Sequence, residues 1–188
     1  MRYLPNGKQM SEADAHTIHK VGVPSLVLME RAALQIVETM HKKNISTEKS
    51  LVVCGSGNNG GDGFAVARLL TEQGKHADVL FAGKEASLSE ECRCQKQIVE
   101  NMGISVFTEF PDKEYTVIID AVFGVGLCRE ITGHYKDVID WMNLQDAEKV
   151  AVDIPSGICA ATGQILGTAF HADLTVCMAW VKLGCELF

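Results

Sequence analysis

Apolar positions in this chain follow two habits: short unbroken runs, and longer stretches spaced every three or four residues. The unbroken runs are Leu51 to Cys54, His76 to Ala82, Ile104 to Phe107, Tyr115 to Val122, Lys149 to Ile154 and Ala172 to Ala179. They read as strands, most of them buried on both faces. Helical patterns lie between and before them. Ser11 followed by Asp14 has the form of a capping box and predicts a helix from Glu12 to Val21. Pro24 stops it, and Ser25 can cap a second helix over Leu26 to Lys42. The apolar set of that helix is broad enough to face both a core and a partner. A third helix starts near Gly63, carries Phe64 to Leu70 and closes at Gly74. Ser87 with Glu90 opens another, which ends at Asn101, and Tyr135 to Met142 forms the next. Strands alternating with helices predict an α/β chain with a mostly parallel sheet covered by helices on both faces. No repeat, low-complexity stretch or linker divides it, so one domain is expected.

Polar residues interrupt this pattern at three predicted strand ends. Gly55, Gly57, Gly60, Gly61 and Gly63 follow the first; Asp120 and the turn Phe123-Gly124-Val125-Gly126-Leu127 follow another; Asp153 precedes Pro155-Ser156-Gly157. In sheets of this kind ligands sit beyond the carboxyl ends of the strands, so the three stretches point to one site. Strand, glycine turn and helix together aim free backbone N–H groups at an anion. Asn58, Asn59 and Asp62 place short polar side chains where a ligand's phosphates and polar ring would meet. Gly55-x-Gly57-x-x-Gly60 formally matches the dinucleotide fingerprint, but the acid that should end the second strand is missing from Leu80-Phe81-Ala82-Gly83. No Lys-Ser/Thr pair follows the glycines, which excludes a P-loop. The pattern therefore fits a phosphate-bearing ligand held otherwise than in ordinary hydride transfer.

A carboxylate at a buried strand end needs compensation for its lost hydration. Asp120 and Asp153 either close loops or do chemistry; Asp62 is either a helix N-terminal acid or part of the site; Ser156 is either a turn residue or a ligand. Asn59, Asp120 and Ser156 are all oxygen donors and together would suit a hard monovalent cation. No Cys/His cluster has zinc spacing. His16 and His19 could pair on a metal but lack a third ligand, and Cys92-x-Cys94 falls on different faces of its helix, as half-buried or solvated thiols.

Composition narrows the partners. Net charge is −7 and no basic run exceeds Lys42-Lys43, which argues against nucleic acid. Seven cysteines without framework spacing read as reduced thiols of an intracellular protein. The opening MRYLPNGKQMSEADAH has no apolar core of a signal peptide, and no apolar run reaches the length of a membrane span. A cytosolic protein is expected.

Asn58-Asn59-Gly60-Gly61-Asp62-Gly63-Phe64 resembles the signature of the YjeF N-terminal family, the NAD(P)H-hydrate epimerases. Asp120-Ala-Val-Phe-Gly124-x-Gly126-Leu127, Arg129-Glu130, Ala151-Val-Asp153-Ile-Pro155-Ser156-Gly157 and the opening Pro24-Ser-Leu-Val-Leu-Met-Glu30-Arg-Ala32 are similar to further family motifs, in the same order. The resemblance implies a Rossmann-like three-layer αβα sandwich, a homodimer, and an isomerase acting on NADHX and NADPHX, cofactors hydrated at nicotinamide C6. Interconverting their R and S forms feeds a dehydratase that acts on one epimer. By position, the resemblance implies that Asn58, Asn59, Gly60, Gly61, Asp62, Gly124, Val125, Gly126, Leu127, Cys128, Arg129, Glu130, Tyr135 and Asp153 contact the substrate. It implies a bound potassium ion held by Asn59, Asp120 and Ser156, with Asp153 as acid/base and Asp120 as the alternative.

The sequence departs from the family at Val125, Cys128, His134 and Cys159-Ala160-Ala161, which leaves the main constellation whole. The chain stops soon after Lys182-Leu-Gly184, so residues 1–188 are expected to be the epimerase domain without its C-terminal segment and without a dehydratase domain. Two other readings stand beside this one. They are a non-catalytic scaffold of the same fold, which a degenerate site would signal, and a plain NAD(P)-dependent oxidoreductase, disfavoured by the missing ribose acid.

Overall fold

Six parallel strands form one sheet in the order β3-β2-β1-β4-β5-β6. The computed structural model describes residues 4–187; Met1–Tyr3, where the stretch read for a signal peptide begins, and Phe188 lie outside it. The strands are β1 (Lys49–Cys54), β2 (His76–Phe81), β3 (Val106–Phe107), β4 (Val117–Ala121), β5 (Glu148–Val152) and β6 (Leu174–Val176). The helices are α1 (Gly7–His16), α2 (Ser25–Lys42), α3 (Asn58–Glu72), α4 (Glu90–Asn101), α5 (His134–Leu144) and α6 (Leu183–Leu187). The predicted α/β class and parallel sheet are therefore present.

Alternation along each strand sorts the core into two layers. Val52, Cys54, Val79, Ile119 and Val152 pack against Ala33, Ile36 and Met40 of α2, Phe64 and Leu70 of α3, and Cys92 and Val99 of α4. Leu51, Val53, Leu80, Ile118 and Ala151 face Val138, Ile139 and Met142 of α5 on the other side. Each fully buried aliphatic side chain of this kind stabilises the fold by about 1.5–3 kcal/mol. Register places Val53 opposite Asp120 and Cys54 opposite Ala121, so β1 and β4 end side by side. The strand order reverses between them, which opens a crevice beyond their carboxyl ends.

Several local expectations shift. The first helix starts at Gly7, because Asn6 and Gln9 form its capping box; Ser11 instead bonds the Gly7 carbonyl at 3.1 Å. Ser25 does not cap α2; its hydroxyl reaches Glu91 of α4 at 2.5 Å. Ser89, two residues past Ser87, caps α4 through the Cys92 N–H. Cys92 is fully buried, its thiol 3.7 Å from the Gly55 carbonyl, rather than half-solvated. A short helix, α6, closes the chain where the apolar pattern gave no sign of one. The largest shift concerns the glycine turn. Helix α3 begins at Asn58, so Asn59 to Asp62 already lie within its first turns.

Candidate active site

The three polar stretches meet at the carboxyl ends of β1, β4 and β5. The glycines permit the meeting at two points of backbone contact. A Cβ on Gly55 would sit 2.1 Å from the Val122 carbonyl oxygen, and one on Gly60 would sit 2.0 Å from that of Gly55. Only glycine lets the start of α3 press this closely on the strand ends. The N-cap, Gly57, has no side chain to satisfy the first N–H groups of α3.

Asp120, at the end of β4, is completely buried. Its Oδ1 accepts the Ser156 hydroxyl at 2.6 Å and the Val122 N–H at 3.1 Å, and its Oδ2 accepts the Ser156 N–H at 2.7 Å. The Ser156 Oγ in turn accepts the Phe123 N–H at 2.9 Å. Every partner is neutral. Burial pushes the Asp120 carboxyl up to about 6, and the bonds from Ser156 and Val122 only partly oppose it. Asn59 lies beside Gly124, its Oδ1 3.4 Å from where a Cβ on that glycine would be. The Asn59 Nδ2 is buried without a hydrogen-bond partner. Which amide end is oxygen is an assignment, so this carboxamide can equally present an acceptor there.

Asp153 follows β5 and adopts the left-handed region at φ 71°. A non-glycine residue held there stores about 1–3 kcal/mol and calls for a reason. Its N–H is fixed to the Val176 carbonyl at 2.9 Å. Its Oδ1 accepts the Met178 N–H at 3.1 Å and pairs with the Lys182 ammonium. Lys182 is buried and also donates to the Met178 carbonyl at 2.8 Å. Two further acids face this pair. Burial, then the charges of Asp153 and Asp14, hold the partly exposed Asp62 carboxyl well above the ordinary range, with Lys182 opposing. Burial and then Asp153 likewise raise Asp14 on α1.

The remaining residues named by the sequence form a rim. Phe123 and Tyr135 pack with ring centroids 4.8 Å apart and help line a cleft of about 290 Å³ with Leu127, Arg129 and Glu130. Arg129, Glu130 and Cys128 are exposed. Val125 turns instead into the small cluster of Ile154, Ile158 and Ala169, so that residue can offer the site its backbone only. Lys182 and Asp14 are the two site residues that sequence reasoning missed. Asp14 was read as helix capping, and Lys182 only as a landmark near the chain end; neither sits in a glycine turn or at a strand end.

Comparison with known proteins agrees with this geometry. Residues 25–184 match the family described as YjeF-related protein N-terminus. The chain is 44% identical over 181 residues to the NAD(P)H-hydrate epimerase of Oenococcus oeni, covering 95% of this chain and 86% of that one. It is 42% identical to the protein of that name from Weissella koreensis, over 94% of this chain and 80% of that one. It is 43% identical to the one from Limosilactobacillus reuteri, over 96% and 86%. The fold is similar to the crystal structure of yeast ynu0, YNL200c, at a TM-score of 0.85 and 20% identity, covering 98% of this chain and 83% of that one. Glycine contacts, strand-end acids and matched span together place the chain in the YjeF-related N-terminal family.

Proposed function

We propose that this chain is an NAD(P)H-hydrate epimerase, interconverting the R and S forms of NADHX or NADPHX at nicotinamide C6. The observation that carries the reading is a pair of buried acids at the strand ends: Asp120, whose partners are all neutral, and Asp153, whose Oδ2 accepts no hydrogen bond among the described residues. Such a site favours positive charge that develops on a bound ring.

The substrate needs that. C6 carries a hydroxyl and is bonded to N1, whose lone pair can expel water and leave a planar cation. Water returning to the other face gives the other epimer. Asp153 moves the proton: its carboxyl protonates the departing oxygen, and its carboxylate takes the proton back from the arriving water. Asp62, its carboxyl raised well above the ordinary range first by burial, can offer the substrate a hydrogen bond. The start of α3, Asn58 to Asp62, receives the phosphates, and Gly124 to Glu130 with Tyr135 form the wall opposite.

Asn59, Asp120 and Ser156 fit a potassium ion. The donor set is one carboxylate with neutral oxygens, Asp120 has no cationic partner, and the Asn59 amide end is orphaned. Among the described residues no three His, Cys, Asp or Glu side chains gather to hold a metal, so a cation here rests on this mixed oxygen set. When bound, potassium supplies the positive charge that buried Asp120 lacks. Exposed Leu26, Val27 and Leu34 on α2 offer an apolar face for a second copy of the chain. A dehydratase specific for one epimer would consume the product.

Pure R-NADHX incubated with the protein, with and without potassium, and separated by chromatography tests the reading. The expected result is approach to an R/S mixture, faster with potassium. A folded protein that forms no S epimer overturns it and favours a scaffold role.

A further inference from the structure

The segment from Cys177 to Leu187 plays no part in the chemistry above, yet it delivers one side chain into the site. The Lys182 side chain is 1% exposed and that of Asp153 12%. An ammonium at that depth is tolerated only when paired and hydrogen-bonded. Lys182 has two partners: Asp153 Oδ1 and the Met178 carbonyl at 2.8 Å. Met178 closes the ring, since its N–H donates to the same Asp153 oxygen at 3.1 Å. The segment is anchored just after Lys182. The Leu183 N–H meets the Pro5 carbonyl at 3.4 Å, and the Gly184 N–H meets that of Ala160 at 2.9 Å. The backbone that follows Lys182 is thus fixed to two other parts of the chain.

The bonds fall unevenly on the carboxylate. Among the described residues Oδ1 takes both hydrogen bonds and Oδ2 takes none. The left-handed backbone at Asp153 adds to this, since φ 71° fixes the direction in which the side chain leaves the strand end.

We propose that Lys182 is a positioning residue for the epimerisation: by holding Oδ1 of Asp153, it leaves Oδ2 as the single oxygen that exchanges a proton at the substrate. This rests on the assignment of Asp153 as the proton carrier. Lys182 neither gives nor receives the transferred proton.

The test compares wild type, Lys182→Met and Lys182→Arg in the R-to-S assay, with thermal unfolding to confirm the fold. Met keeps the length and apolar stem but removes the donor that holds Oδ1. Its kcat should fall about 10- to 100-fold, as for partners that orient a reactive group, with KM within about threefold. Arg keeps a cationic donor, so its kcat should lie between those of Met and wild type, again with KM within about threefold. A folded Met variant with wild-type kcat, or one whose loss falls on KM and not kcat, overturns the proposal. So does a folded Arg variant whose loss falls on KM and not kcat, which decides the matter even if the Met variant does not fold. If wild type itself makes no S epimer, the epimerase reading falls and takes this assignment with it. If wild type is active and the variants behave as wild type, only the role of Lys182 falls.

Discussion

Each end of the sheet buries a carboxylate, and the two are treated in opposite ways. At the amino ends, Asp78 on β2 has an Oδ2 that meets the Lys113 ammonium at 2.8 Å, the Tyr115 hydroxyl at 3.0 Å and His76 Nε2 at 3.3 Å. Burial pushes this carboxyl up, but the Lys113 and Tyr115 bonds and the nearby charges of His76 and Lys113 bring it below the ordinary range. The residues around it, Lys49, His76, Lys113, Glu114 and Tyr115, line a cleft of about 330 Å³. At the carboxyl ends, Asp120 has only neutral donors and is pushed up to about 6. The first carboxylate is compensated within the chain and closes a loop. The second has no cationic partner among the described residues. A cleft of comparable size exists at either end, so cavity volume does not locate the chemistry; uncompensated charge does.

The largest effect expected from this contrast is on stability against pH. Asp120 has a folded value of about 6, above the unfolded carboxylate value, so between the two the folded state binds more protons. Without alkali cations, stability should therefore fall as pH rises from about 4 to above 6, by about 3 kcal/mol for a two-unit shift. Urea unfolding across that range measures it, and potassium at neutral pH should restore part of the loss. A flat profile would break the comparison.

Asp78 acts in the other direction and lower window. Its depressed value means its stabilisation is present above the unfolded carboxylate value and is lost as pH falls through the folded one. Asp78→Asn should lower stability by about 2 kcal/mol, since it strips Lys113 and Tyr115 of their shared partner. Lys113→Met should cost less, about 1 kcal/mol or below, because that side chain is 45% exposed and water screens its pair. If Lys113→Met costs more than Asp78→Asn, the amino-end pair is not the compensated unit described.

The sheet was legible because its strands are unbroken apolar runs, and the site's glycines and strand-end acids announced themselves by interrupting those runs. The start of α3 was not. Asn58 to Gly63 is a poor helix former by propensity, and tertiary contact at Gly55 and Gly60 overrides that preference. The local caps at Ser11, Ser25 and Ser87 misled for a related reason. A serine near an acid is a local signal that does not fix where the helix starts: Asn6 caps α1 through the Gln9 N–H and Ser89 caps α4 through the Cys92 N–H. Lys182 was illegible because its meaning depends on Asp153, 29 residues earlier, and on the anchoring of α6 by Pro5 and Ala160. A single lysine outside any periodic pattern carries no mark of being buried.

The central claim is that the carboxyl ends of the strands, and not the amino ends, turn over the hydrated cofactor. The most direct measurement is the R-to-S rate of Asp153→Ala beside Asp78→Asn, at a temperature where both are folded. The account predicts that Asp153→Ala loses about 10²–10⁴-fold in turnover, as expected when a positioned proton carrier is removed, while Asp78→Asn keeps wild-type turnover and loses only stability. Near-normal interconversion by folded Asp153→Ala, or its loss in Asp78→Asn, would contradict the account.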